Sequence, residues 1–199
     1  MSGSTPSTRP PACSRAYKGD AILKNVTHAK CVRCGAEYEA VPGLTTCTCG
    51  GMLDIQYDYG YIRTLVSRET LSGCRDYSMW RYRPFLPVEP DSPPTPLRVG
   101  WSPLYPAPRL AQVLGLKALY IKDDGQNPTS SLKDRASAMA VVKAREAGAD
   151  TIACSSTGNA ASSLAGNAAA AGLHTYIFVP ARRSEEHTSE LQSPLTISY

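Results

Sequence analysis

The chain has 199 residues, a formal net charge of +4 and a hydrophobic fraction of 42%. These are ordinary values for a globular chain, and a mild charge without a basic stripe argues against nucleic acid as a partner. The apolar runs are short and rich in alanine, far below the roughly 20 residues of a membrane span, so a membrane partner is not expected either.

In chain order, residues 1–25 are expected to be disordered, because residues 1–16 are rich in Ser, Thr, Pro and Arg with almost no large apolar side chain. Residues 26–57 hold the runs Cys31-Val-Arg-Cys34-Gly35 and Thr46-Cys47-Thr-Cys49-Gly50-Gly51 and end in a strand-like stretch over 52–57. Four thiolates from two tight knuckles can close a tetrahedral metal site, and the glycines behind Cys34 and Cys49 let amides turn toward the sulfurs. The arrangement resembles a zinc ribbon, although its second knuckle is Cys-x-Cys. That resemblance makes Cys31, Cys34, Cys47 and Cys49 the metal ligands and the zinc structural, since no coordination position is left for a substrate. A pair of disulfides is the rival reading. With no visible signal peptide and with Cys13, Cys74 and Cys154 scattered, a reducing cytoplasm fits better.

Residues 58–96 read as an extended connector, with Trp80-Arg81-Tyr82-Arg83-Pro84-Phe85-Leu86-Pro87 followed by Pro90, Pro93, Pro94 and Pro96. Its aromatics are expected to pack rather than to bind. From 97 to 182 the pattern alternates: helix over 109–114, strand over 118–122, helix over 136–147, strand over 151–154, helix to 171, strand over 175–179. Alternation at this spacing predicts an α/β class, a parallel sheet flanked by helices, with ligands at the carboxyl ends of its strands.

Two segments of this region carry chemistry. Asn127-Pro128-Thr129-Ser130-Ser131-Leu132-Lys133-Asp134-Arg135 places Lys133 at the start of the 136–147 helix, whose buried face is expected to use Met139, Ala140 and Val142. Ser131 and Asp134 fit a capping box. Near the positive end of a helix dipole an ammonium is disfavoured, which suits a lysine that must react as a neutral amine. A solvated surface lysine is the plain alternative. The second segment, Ser155-Ser156-Thr157-Gly158-Asn159-Ala160-Ala161, is a turn of small residues between strand and helix. Its amides and hydroxyls can hold an anion, or can simply let the helix pack closely on the sheet.

Together these residues resemble the lysine and asparagine segments of the fold-type-II pyridoxal phosphate enzymes, and among them the ribbon-bearing threonine synthases, which the Trp80 stretch and Ser102-Pro103-Leu104 also resemble. The resemblance covers about residues 26–182. It implies that Lys133 carries pyridoxal 5'-phosphate and shuttles protons, and that Asn159 bonds the cofactor ring oxygen. Ser156, Thr157, Gly158 and Ala160 would take the substrate carboxylate, although Ala160 stands where threonine or serine is often found. The implied reaction converts O-phosphohomoserine and water to threonine and phosphate, in a homodimer acting on a small amino-acid substrate. Two alternatives stay open: another enzyme of this fold, such as a threonine dehydratase or a cysteine-forming β-replacement enzyme, or a non-catalytic zinc-ribbon module. After residue 182 the alternation stops, and residues 183–199 resemble the translation of a sequencing adapter. On that reading His187, Glu185 and Glu186 form no site. The chain is then a fragment, inactive by itself, whose parent continues into the phosphate cradle and second domain.

Overall fold

The computed structural model describes residues 23–41 and 43–179. Of the segment 1–25 expected to be disordered, residues 1–22 lie outside the described residues, as does the expected foreign tail over 183–199, whereas Asn25 is buried and donates to Pro84 O at 3.0 Å and Leu86 O at 2.8 Å. The chain divides into two compact units, residues 1–92 and 93–199.

In the first unit, strands β1 (Val26–Cys31), β2 (Glu37–Tyr38) and β3 (Leu53–Tyr57) form an antiparallel sheet in the order β2-β1-β3. Side chains of β1 alternate across the sheet, so Ala29 and Cys31 point inward and are buried while Lys30 between them is exposed. The segment expected to run extended over 58–96 instead carries two helices. Asp58 accepts from Tyr61 N at 2.8 Å and starts α1 (Tyr59–Leu65). Ser67 and Thr70 exchange hydrogen bonds in a capping box that starts α2 (Arg68–Gly73). A 3-10 segment, Met79–Phe85, follows, with Met79 and Trp80 buried and Tyr82 and Phe85 exposed. The prolines of this stretch begin only at Pro84, and the caps upstream of them decide the backbone of the helices.

In the second unit, β4 (Leu104–Pro106), α3 (Pro108–Val113) and β5 (Tyr120–Lys122) precede the lysine segment. Then come α4 (Lys133–Glu146), β6 (Thr151–Ser155), α5 (Asn159–Ala170) and β7 (His174–Phe178). The expected parallel pairing is found between β6 and β7, in register from Thr151↔His174 to Ser155↔Phe178. Val141, Leu164 and Ala168 form the core beneath that pair, with Ile152, Cys154, Ala171 and Leu173 packed against them.

Two expectations need correction. Strand β5 does not join β6 and β7 among the described residues. It pairs antiparallel with β4, and the bonds Asp123 N to Pro103 O and Ala107 N to Leu119 O, both 2.9 Å, extend that ladder at its two ends. Helix α4 begins three residues earlier than expected and buries Asp134, Ser137, Ala138, Val141 and Val142, leaving Ala140 exposed and Met139 half-buried. In a helix of small residues the buried face has few large side chains to announce it.

Candidate functional site

The lysine loop is built from polar closures before any ligand is considered. Asn127 is buried and accepts from Gly100 N at 2.9 Å while donating to Asp124 O at 2.9 Å. Ser130 donates its amide to Asn127 O at 2.8 Å and takes a left-handed φ of 58°. That conformation costs a non-glycine residue about 1 kcal/mol, so the surrounding bonds must hold it. Ser131 accepts from Lys133 N at 3.1 Å, and Lys133, the first residue of α4, is exposed.

Asp134 does not close the expected capping box with Ser131. Its carboxyl group is fully buried and reaches back to Thr129, accepting from Thr129 N and Thr129 Oγ1, both at 2.8 Å. It also accepts from Ser163 Oγ at 2.8 Å and Asn167 Nδ2 at 2.9 Å, both on α5. At Gly166 on the same helix a Cβ would stand 2.8 Å from Thr129 Cγ2, so only glycine lets α5 approach the lysine loop this closely. Thus the residue next to Lys133 is tied to the helix that begins at Asn159. Ser163 lies four residues, about one helical turn, beyond Asn159. The sequence signal for this contact was available: Ser163 and Asn167 are polar residues at i,i+4 in an alanine-rich helix.

Arg135 anchors the other side of α4. Its Nε and Nη2 donate to the two oxygens of Asp124 at 2.8 Å each, and Ser102 Oγ donates to the same carboxylate. The Arg135 guanidinium holds the Asp124 carboxyl well below the usual carboxylate range; burial opposes this, and the Ser102 hydroxyl adds to it. Lys122 Nζ, at the end of β5, donates to Ser102 O, so the turn before β4 is tied to β5 by this bond and to α4 through Asp124 and Arg135.

In the turn between β6 and α5, Ser156 N continues the ladder to Phe178 O at 3.2 Å, and Ser156 Oγ accepts from Gly158 N at 3.3 Å. Helix α5 starts behind Gly158 with no side-chain cap, which leaves its first amides open to an anion. Asn159 is exposed, and Ser156, Thr157, Gly158 and Ala160 are half-buried.

In the first unit, the sulfurs of Cys31, Cys34, Cys47 and Cys49 lie within 4.8 Å of one another and all four thiols are free. The pairs Cys31–Cys49 and Cys34–Cys47 are 3.5 and 3.6 Å apart. A zinc–sulfur bond of about 2.3 Å gives a tetrahedral edge of about 3.8 Å, close to these separations. A Cβ at Gly51 would stand 2.6 Å from Cys31 Sγ and 3.4 Å from Cys49 Sγ, so the chain passes the cluster where no side chain fits. The Cys34 amide lowers the Cys31 thiol below its ordinary value. The Tyr38 hydroxyl and the Cys49 amide bring Cys47 down to about 6. At Cys49 the Gly51 amide acts downward, but hydrogen bonds from Cys34, Cys47 and Cys31 outweigh it and push the thiol up to about 12. Four thiols this close together are suited to a divalent cation, which takes all of them as thiolates. The donor set fits zinc.

Residues 95–193 match the family described as pyridoxal-phosphate dependent enzyme. Over these residues the chain belongs to that family. Among relatives, the threonine synthase of Methanocaldococcus jannaschii is 41% identical over 151 residues, 76% of this chain and 37% of its own length. That of Methanosarcina acetivorans is 44% identical over 156 residues, 77% of this chain and 37% of its own length. That of Synechocystis sp. is 44% identical over 115 residues, 55% of this chain and 29% of its own length. The chain thus spans 37% or less of the length of these three relatives. Because the family match is confined to 95–193, a similarity over 151 residues also takes in part of residues 1–94.

The residues present fit a pyridoxal-phosphate dependent enzyme in two respects. Lys133 is reachable while its neighbours Asp134 and Arg135 are fixed, and the turn at Gly158 offers uncapped amides to a carboxylate or phosphate. No helix among the described residues is long and apolar enough to cross a membrane.

Proposed function

We propose that this chain is part of a threonine synthase that converts O-phosphohomoserine and water to threonine and phosphate. The observation that carries the reading is the buried Asp134 network, which fixes the lysine segment against the helix headed by Asn159. The names of the relatives support the choice of reaction within the family.

In this reading Lys133 would hold pyridoxal phosphate covalently, and its amine would take and return protons at the substrate carbons. Asn159 hydrogen-bonds the ring oxygen. Ser156, Thr157, Gly158 and the Ala160 amide take the substrate carboxylate, helped by the uncapped start of α5. The cofactor, when bound, supplies the electron sink that lets a proton leave the amino-acid carbon. Asp134 and Arg135 hold the lysine and do not touch substrate. The cysteine cluster binds zinc and stabilises the first unit without entering the reaction.

Product analysis tests the reaction. A full-length protein containing this chain releases phosphate and threonine from O-phosphohomoserine; production of ketobutyrate from threonine instead would assign it to the dehydratases. The chain alone is expected to be inactive in the same assay.

A further inference from the structure

The two cysteine knuckles are closed alike but differ in length by one residue. In the first, Gly35 N donates to Cys31 O at 3.0 Å and Cys31 N donates to Ala36 O at 2.8 Å. In the second, Gly50 N donates to Cys47 O and Cys47 N donates to Gly51 O, both at 2.8 Å. Gly35 and Gly50 take matching left-handed φ values of 76° and 78°. The shorter knuckle therefore keeps the turn and gives up one amide inside it.

The lost amide has a consequence at sulfur. Cys31 Sγ accepts two backbone bonds, from Arg33 N at 3.4 Å and Cys34 N at 3.5 Å. Cys47 Sγ accepts one, from Cys49 N at 3.5 Å. Its second partner comes from outside the knuckle and is a side chain: Tyr38 Oη lies 3.1 Å away. Tyr38 is set in place by the β2–β1 ladder, opposite Ala29. Thr48 N, within the short knuckle, donates to Tyr38 Oη at 3.5 Å, which occupies the oxygen and leaves the hydroxyl proton for sulfur. The rival donor is Thr48 Oγ1, 3.9 Å from Cys47 Sγ and 3.4 Å from Tyr38 Oη.

We propose that Tyr38 is a positioning residue of the cysteine cluster, supplying from a neighbouring strand the sulfur hydrogen bond that the Cys-x-Cys knuckle cannot make, and so setting the cluster's affinity for a thiophilic divalent cation. A metal-bound thiolate remains electron-rich, and a donor aimed at it both orients the sulfur and draws off charge. The inference rests on the reading of the four cysteines as a metal site.

Cobalt(II) titration of the whole chain under reducing, oxygen-free conditions tests it, because cobalt–thiolate charge-transfer bands report on the sulfurs directly. The expected result is one tetrahedral four-sulfur cobalt per wild-type chain. Tyr38→Phe, which removes only the hydroxyl, should retain that site with a shifted charge-transfer band and an affinity about 10-fold lower in competition with a chelator. Thr48→Ala should leave both unchanged. An unmoved band and equal affinity in Tyr38→Phe would overturn the role of Tyr38 and leave the metal site standing. A loss in Thr48→Ala matching that in Tyr38→Phe would overturn it in favour of the threonine hydroxyl. A wild-type chain that takes up no cobalt removes the metal site, and the inference with it.

Discussion

The cysteine cluster closes between residues 31 and 51 through short turns, whereas the lysine loop is held by partners spread from Gly100 to Asn167. The first is assembled from glycine-dependent turns and amides belonging to the knuckles, with Tyr38 as its contribution from another strand. The second converges on one buried carboxyl group that a loop and a distant helix both address. A locally closed site should depend chiefly on its ligand, and a distributed one chiefly on the residue at its hub. Each can be broken at a different place.

The largest expected effect is at the reactive group. Lys133→Ala should abolish the borohydride-fixed pyridoxal phosphate adduct in the full-length protein, read by mass spectrometry of the labelled peptide. An adduct that survives would place the covalent attachment at another amine.

Next is metal removal, which should affect the local site alone. For structural zinc sites the binding energy is on the order of 10 kcal/mol and counts as folding energy. A chelator is therefore expected to abolish amide-exchange protection in β1–β3 while protection in α4 and α5 persists. Equal loss in both units would contradict the local character of the cluster.

The hub of the distributed site should respond in a graded way. Asp134→Ala leaves four donors without their buried acceptor and should cost roughly 3 kcal/mol, whereas Ser163→Ala removes one donor and should cost about 1 kcal/mol. Denaturant unfolding followed in the second unit measures both. Similar costs for the two substitutions would mean that the donors do not depend on a common acceptor.

The smallest expected effect concerns acid. Arg135 depresses the folded-state pKa of Asp124, so the unfolded state takes up the proton first as pH falls. The stabilisation is complete above the ordinary carboxylate range, near pH 4, and is lost as pH drops below it toward the folded value. Asp124→Asn should flatten that acid limb of the stability profile while leaving its slope above pH 6 unchanged; an unaltered acid limb would assign the acid sensitivity to other carboxyls.

Much of this was legible in the residues. The knuckle spacing and trailing glycines located the four cysteines, and the alternation of small-residue helices with short β-branched runs located β6, α5 and β7 to within a residue or two. The capping pattern around Ser131 located the start of α4 only to within three residues, because Asp134 had two places to send its carboxyl group and chose the longer-range one. The helices of the 58–96 stretch were hidden by its prolines, although Asp58 and Ser67 were readable as caps.

By itself, the sequence determined what depends on neighbours along the chain: turns that need glycine, helices that need a cap, and a thiol quartet set by spacing. Only the tertiary structure decided that β5 turns back on β4 and that Tyr38 faces Cys47. It also decided that Asp134 binds Thr129 to Ser163 and Asn167. The physical reason is plainest at Asp134, which is fully buried. A buried polar group must find a partner, and many candidates along a sequence can serve until packing brings one of them within reach.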